Sequence, residues 1–187
     1  MNTGNNRLNT SDMTKIALCI AVLCVSSYLI IPLPFTPVVL TLHSLAVNII
    51  GLILKPKYAA YTVLIYLIMG LIGLPVFSGG TSGAGKLFGP TGGYYFGFLF
   101  AVIVISLLKG KYNKLCRYIV VTIGIGIPVQ HMFAVLIMCC HNGFNLTAAI
   151  LSVSVPFIPG DIIKAVVASV TGNALNKYFD NNKKVDL

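Results

Sequence analysis

Charge is what this sequence has least of. Only 9% of its 187 residues are Asp, Glu, Lys or Arg, against roughly 25% in a soluble domain. There is no Glu, and the four acids are Asp12, Asp161, Asp180 and Asp186. That scarcity removes paired-carboxylate chemistry, and no nucleophile–base constellation stands out elsewhere. Trp is absent as well. The five Cys include the adjacent Cys139-Cys140, followed by His141. Neighbouring Cys have poor geometry for a disulfide, and no matching ligand set accompanies them, so metal or redox chemistry is not expected.

What fills the chain instead is hydrocarbon: 57% hydrophobic residues and a mean hydropathy of +0.90. So little charge cannot cover an aqueous surface, and the natural solvent is a bilayer. Backbone groups in lipid must be satisfied internally, which leaves helices or a closed barrel. The apolar runs are continuous rather than alternating, so helices are expected over 16–31, 38–54, 58–74, 94–108 and 118–140. A last region over 144–178 is broken at Val155–Asp161. Pro32, Pro34 and Pro37 are read as ending the first helix, Lys55-Pro56-Lys57 as a turn, and Pro128 as a kink. The apolar stretch from Ile16 lacks a small-x-small cleavage site and is expected to be retained.

Charge placement supports six transmembrane helices with both termini cytoplasmic. That arrangement puts eleven of the thirteen Lys and Arg on the inner side and leaves only Lys86 and Lys164 apart. Counting 144–155 as a full crossing would carry Lys177, Lys183 and Lys184 outside, so a short outer or re-entrant helix is expected there. The fold class is therefore all-α and polytopic, a single domain over 1–187 with polar cytoplasmic tails at 1–14 and 179–187. The net charge of +9 is accounted for by these flanking cations, and no basic face or motif points to nucleic acid.

Gly80-x-x-x-x-Gly85-Lys86 matches a phosphate-binding loop in outline. Leu87 stands where a Mg²⁺-holding hydroxyl belongs, the segment follows a helix end rather than a strand, and it falls on the outer face where no ATP is available. A glycine-rich stretch of this kind, Gly79 to Gly93, is either a cover over an outward cavity or a plain hairpin between helices. Gly89-Pro90-Thr91 reads as the start of the next helix, with Pro in its first turn.

The sharper feature is Pro159-Gly160-Asp161-Ile162-Ile163-Lys164. Pro159 is expected to start a helix at the outer boundary, Asp161 to lie in its first turn, and Lys164 to share its face. Intramembrane charges pair with one another or line a functional cavity, and both readings stand. An acceptor and a donor side by side suit a ligand presenting N–H and C=O together, as a ureido ring does. Lys86 either meets a ligand carboxylate or merely steers anions. His43 and His131 are read as packed, hydrogen-bonded histidines, with His43 close enough to the outer end to face a cavity. Asn48 is read as interhelical glue. The small pairs Ala17/Ala21 and Gly93/Gly97 suit close helix packing.

Three stretches together, Leu74-Pro75-Val76-Phe77 with the glycine loop, Gly89-Pro90-Thr91-Gly92-Gly93-Tyr94, and Pro156 to Lys164, resemble the BioY family of biotin transporters. These are the substrate-binding S components of energy-coupling-factor (ECF) transporters, and the similarity runs from about Lys15 to Tyr178. The resemblance implies the S-component fold of six helices, a vitamin site near the outer face, and a bacterial plasma-membrane location. It implies biotin as transported ligand, no cofactor or metal in this chain, and a membrane T component with two ATPase subunits as partners that use the ATP. By resemblance Asp161 and Lys164 meet the ureido ring. Gly79, Gly80, Thr81, Ser82 and Lys86 belong to the covering loop, and Thr91, Tyr94, His43 and Asn48 complete the candidate substrate-binding set. Ala17 and Ala21 match the family's motif for contact with the T component. Where the family often has Thr-Leu-Gln, this chain has Thr41-Leu42-His43, so His43 either replaces the Gln as a polar contact or marks a tolerant position. The competing readings are an S component for another vitamin, a membrane enzyme using Cys139, Cys140, His141 or Asp161, and a structural membrane subunit.

Overall fold

The computed structural model describes residues 10–31, 40–110, 114–143 and 145–185. Nine α-helices occur among them: α1 (Thr10–Ser26), α2 (His43–Ile53), α3 (Pro56–Leu71), α4 (Ala84–Leu87), α5 (Gly93–Leu108), α6 (Leu115–Val121), α7 (Ile127–Asn142), α8 (Leu146–Val153) and α9 (Ile158–Val185). A π-helical segment, Thr122–Gly126, joins α6 to α7 without a break. The described strands are β1 (Ile30–Ile31) and β2 (Leu40–Thr41), a short antiparallel ladder pairing Ile30 with Thr41 and Ile31 with Leu40.

The short helix α2 is the axis of the bundle. It packs against α9, α5 and α1, and eight of its eleven residues are buried. A helix enclosed on most sides needs apolar or small residues nearly all round, and His-Ser-Leu-Ala-Val-Asn-Ile-Ile-Gly-Leu-Ile supplies them with three polar exceptions. Gly51 permits the closest approach: a Cβ there would lie 2.8 Å from Ile105 of α5. The pair Gly93/Gly97 does the same between α5 and α7, since Cβ atoms would fall 2.4 Å from the Phe133 carbonyl oxygen and 2.9 Å from Gln130 Cα. That pair serves packing within the chain. Ala17 and Ala21, in contrast, lie on the exposed face of α1 beside Leu18 and Val22.

Among the described residues one helix, Leu115–His141, is long and apolar enough to cross a membrane, and α8 with α9 through Asn181 qualifies as a second, bent by 52°. The shorter α2, α3 and α5 are apolar too. The exterior is greasy throughout, with Leu18, Val25, Leu107, Leu136 and Ile163 all more than half exposed.

Several expectations need correction. The first helix stops at Ser26 rather than at the prolines, which lie outside the described residues. Ser26 and Ser27 turn their hydroxyls back onto the carbonyls of Leu23 and Cys24 at 2.7 and 2.6 Å, and the Ser27 amide donates to Cys24 as well. These bonds compete with further helix growth. Among the described residues of the second apolar run the helix begins at His43; its eleven residues rise about 16 Å, half of a hydrocarbon core. The helix after the glycine loop begins at Gly93, not at Gly89-Pro90-Thr91, because those residues form a turn closed by the Gly92 amide on the Gly89 carbonyl. Pro128 does sit at a distortion: it lies in the first turn of α7, just after the π segment. The turn at Lys55-Pro56 is as expected, with Pro56 opening α3.

Candidate substrate-binding site

Asp161 lies in the first turn of α9, and its side chain is the hub of a buried polar cluster. Oδ1 accepts from Lys164 Nζ at 3.0 Å and from Ser44 Oγ of α2 at 2.8 Å, while Oδ2 accepts from His131 Nε2 of α7 at 3.1 Å. Asp161, Lys164, His131 and Ser44 are 7%, 8%, 7% and 8% exposed. At that depth a carboxylate persists only when charge-paired and hydrogen-bonded, and here it is both. Lys164 is equally well held: Nζ also donates to the Thr41 carbonyl at 2.7 Å and to Ser44 Oγ at 3.3 Å. The three-residue spacing on α9 places the pair on one face, as the sequence implies.

One helical turn beyond Ser44, Asn48 is fully buried. Its Oδ1 accepts from Gln130 Nε2 of α7 at 3.4 Å, so it bridges two helices as expected. Its Nδ2, however, is a buried donor with no partner among the described residues. An unpaired buried donor carries a desolvation cost of about 1–3 kcal/mol.

His43 opens α2 and is fully buried. Nε2 lies 2.8 Å from the Tyr66 hydroxyl and Nδ1 lies 3.1 Å from Thr41 Oγ1. The Tyr66 hydroxyl also donates to the Val76 carbonyl at 3.0 Å. The ring stacks on Phe98 and meets Tyr95 edge-on. Both nitrogens thus have protein partners, and the link from His43 to the charged pair runs through Thr41, whose carbonyl takes Lys164.

Tyr94 joins the cluster from α5. Its hydroxyl donates to the Val153 carbonyl at the end of α8 and stands 3.4 Å from His131 Nδ1, with the two rings edge to face. Thr91 is half-buried in the turn before α5. The glycine loop makes a separate set of bonds. Gly79 and Gly80 have φ of 73° and 70°, conformations open to glycine, and they close a bridge between Phe77 and Thr81. The Gly79 amide donates to the Ser27 carbonyl, Thr81 Oγ1 to the Ser78 carbonyl, and the Ser78 amide to the Tyr95 hydroxyl. Ser82 and Lys86 follow, half-buried, with Lys86 on α4. Among the described residues the loop is tied to Ser27 just after α1, to Gly70 of α3 and to Tyr95 of α5, and no hydrogen bond joins it to Asp161 or Lys164.

Sequence reasoning missed Ser44 and read His131 as a packed, hydrogen-bonded histidine without naming its partner. Ser44 had a signal, being four residues before Asn48 and so on its face of the helix. His131 had none, because its partner is thirty positions away in sequence. Beside it, α7 and α8 frame an apolar groove of about 520 Å³ that His131, Val135, Leu136, Ile150 and Ser154 help to line.

Among the described residues, a bundle around a short buried helix, with a buried ion pair at the head of its last helix and apolar side chains outside, has the architecture of the S-component class of integral membrane proteins, as its match to a solved member shows. A crystal structure of the S-component for biotin from an ECF-type ABC transporter superposes with a TM-score of 0.81 at 29% identity, covering 95% of each chain. The BioY family model matches residues 1–181, and the chain belongs to that family. It is 37% identical over 183 residues to biotin transporter BioY2 of Lactococcus lactis, covering 91% of this chain and 96% of the relative. It is 36% identical to biotin transporter BioY of Thermotoga maritima, covering 89% and 96%. The Rhizobium etli biotin transporter BioY is 35% identical, covering 90% and 94%. The chain is accordingly a transport protein and not an enzyme.

Proposed function

We propose that this chain is the biotin-binding subunit of an ECF transporter, capturing biotin at the outer face for uptake driven by partner ATPases. The observation that carries the reading is the Asp161–Lys164–Ser44 cluster, with the unpartnered Asn48 Nδ2 one turn along α2 from Ser44. A cyclic urea presents N–H groups and a carbonyl on one rigid ring. Asp161 is an acceptor for the former, and Lys164 and Asn48 are donors for the latter. Asp161, Lys164 and Ser44 satisfy one another, whereas Asn48 Nδ2 has no partner among the described residues, so a ligand must replace the bonds it breaks with equivalent ones. That requirement rejects molecules lacking either half of the pattern.

The remaining parts follow from the same reading. Helices α1, α2, α3, α5, α6 with α7, and α9 make six crossings, with α8 re-entrant and both termini in the cytoplasm; residues 1–187 form one substrate-binding domain in a bacterial plasma membrane. The loop of Gly79, Gly80, Thr81, Ser82 and Lys86 covers the site, Thr91 and Tyr94 frame it, and His43 holds Thr41 in place. Ala17 and Ala21 present the small-residue face to a T component, which carries two ATPase subunits. Radiolabelled biotin uptake by cells expressing this chain with and without those subunits tests the assignment. Biotin accumulation that depends on this chain and rises with the partners is expected. Uptake of another vitamin, or none above cells lacking the chain, contradicts it.

A further inference from the structure

Two consecutive residues of α7 reach two different site side chains. His131 Nε2 donates to Asp161 Oδ2 at 3.1 Å, and Gln130 Nε2 donates to Asn48 Oδ1 at 3.4 Å. They are 7% and 2% exposed. We infer that α7 is the orienting helix of the site: His131 is a positioning residue for Asp161, and Gln130 does the same for Asn48. The inference rests on the biotin reading and adds to it which groups fix the geometry of recognition.

The argument for His131 begins with the torsions of an aspartate. Its terminal torsion is broad and roughly two-fold, so the carboxylate plane must be set by its partners. Ser44 and Lys164 both hold Oδ1. Two bonds to one oxygen leave the plane free to turn about it. His131 is the group that holds Oδ2 among the described residues, and only with that third bond is the plane fixed. The imidazole is itself braced, edge-on to Tyr94 with ring centroids 5.7 Å apart, and Tyr94 is tied to the Val153 carbonyl at the end of α8. Position thus passes from α8 through Tyr94 and His131 to the carboxylate.

Gln130 performs the complementary task. By donating to Asn48 Oδ1 it assigns the orientation of that amide, and leaves the NH₂ group without a partner among the described residues. One step along α7 therefore sets an acceptor at Asp161 and a donor at Asn48, the two features a ureido ring reads. The π segment just upstream supplies the register. A single π-turn carries one extra residue, which rotates everything downstream by about 100° relative to an uninterrupted α-helix. Gly126, its last residue, lets the turn close on Asn48: a Cβ there would lie 3.1 Å from Oδ1 and 2.8 Å from Ile105.

The test is a double-mutant cycle on the purified full-length chain, read as biotin affinity. His131→Leu is expected to weaken binding on the order of ten- to a hundredfold, the effect of losing a hydrogen bond to a charged group. His131→Gln, whose amide restores an N–H donor, is expected to recover most of it. In an Asp161→Asn background, His131→Leu should add little, because the residue it orients is already altered. Unchanged affinity in His131→Leu, no recovery in His131→Gln, or fully additive losses in the cycle would each overturn the inference. A readout independent of ligand separates this from failure of the biotin reading. In spectra of ¹⁵N-histidine-labelled protein, the Nε2–H signal that disappears in His131→Gln should move on Asp161→Asn. A signal unmoved by Asp161→Asn refutes the positioning role even if His131→Leu does not fold. Wild-type protein that fails to hold biotin while showing the expected shift removes the vitamin and leaves the orientation standing.

Discussion

Ser44 and Asp161 lie 117 positions apart in sequence and meet at 2.8 Å, hydroxyl to carboxylate, in the interior of the bundle. That contact joins the first turn of α2 to the first turn of α9. It also brings Ser44 Oγ within 3.3 Å of Lys164 Nζ, so a single hydroxyl serves both members of the ion pair. The charged pair is therefore not an isolated helix-start device. Groups from three further elements, the Thr41 carbonyl, Ser44 and His131, converge on it.

Asp161→Asn is the first expected loss of function. It removes the charge that Lys164, Ser44 and His131 address and strands the Lys164 ammonium. The cost to biotin binding is expected at about 2–4 kcal/mol. Calorimetric titration of the folded variant checks this, and an affinity equal to wild type would remove Asp161 from the site.

Ser44→Ala asks less of the structure. Asp161 keeps Lys164 and His131, and Lys164 keeps Thr41, so the charges remain paired. The loss of one shared hydroxyl is expected to weaken biotin binding by about 1–2 kcal/mol, less than Asp161→Asn. The same titration reads it, and a loss larger than that of Asp161→Asn would contradict that order.

Gly93→Ala tests packing rather than chemistry. The added methyl would press on the Phe133 carbonyl and on Ala134 Cα, both backbone atoms that no rotamer change can move. Destabilisation of about 1–3 kcal/mol is expected, seen as a lower melting temperature in detergent. Gly85→Ala is the control, since a Cβ there meets nothing within 4 Å. Equal melting temperatures for the two variants would show that α5 and α7 do not need their close approach.

Ala17→Trp addresses the partner. Ala17 is exposed on α1, so a bulky residue there should leave folding and biotin binding intact while blocking assembly with the T component. Co-purification of the tagged chain with its partners reads this directly. Loss of biotin binding and assembly together would instead assign the α1 face to internal packing.

Local features were legible in the sequence, and long-range ones were not. Asp161 and Lys164 could be paired from their spacing alone, and Pro159 does fall in the first turn of its helix, because both depend on a few adjacent residues. The broken segment before it resolves into α8 and a 52° bend, as the interruption at Pro156 and Pro159 suggests. The start of α5 was misread, since Pro90 alone looks like a helix opener. What delays the helix is the seating of Gly92 against α4, where a Cβ would clash with the Leu87 carbonyl. The end of α1 was misread for a similar reason: two serine hydroxyls turn back on the helix before any proline is reached. Ser44, Gln130 and His131 carry no local mark, as their meaning comes from partners brought together only by the packing of α2, α7 and α9.

The most direct test of the central claim is equilibrium biotin binding to the purified, detergent-solubilised chain alone, with thiamin and riboflavin as controls. Tight binding of biotin and neither control is the predicted result, and it would establish substrate capture without the ATPases. No biotin binding by a sample with a cooperative melting transition, or equal binding of all three vitamins, would contradict the account and return the Asp161–Lys164 cluster to holding the fold.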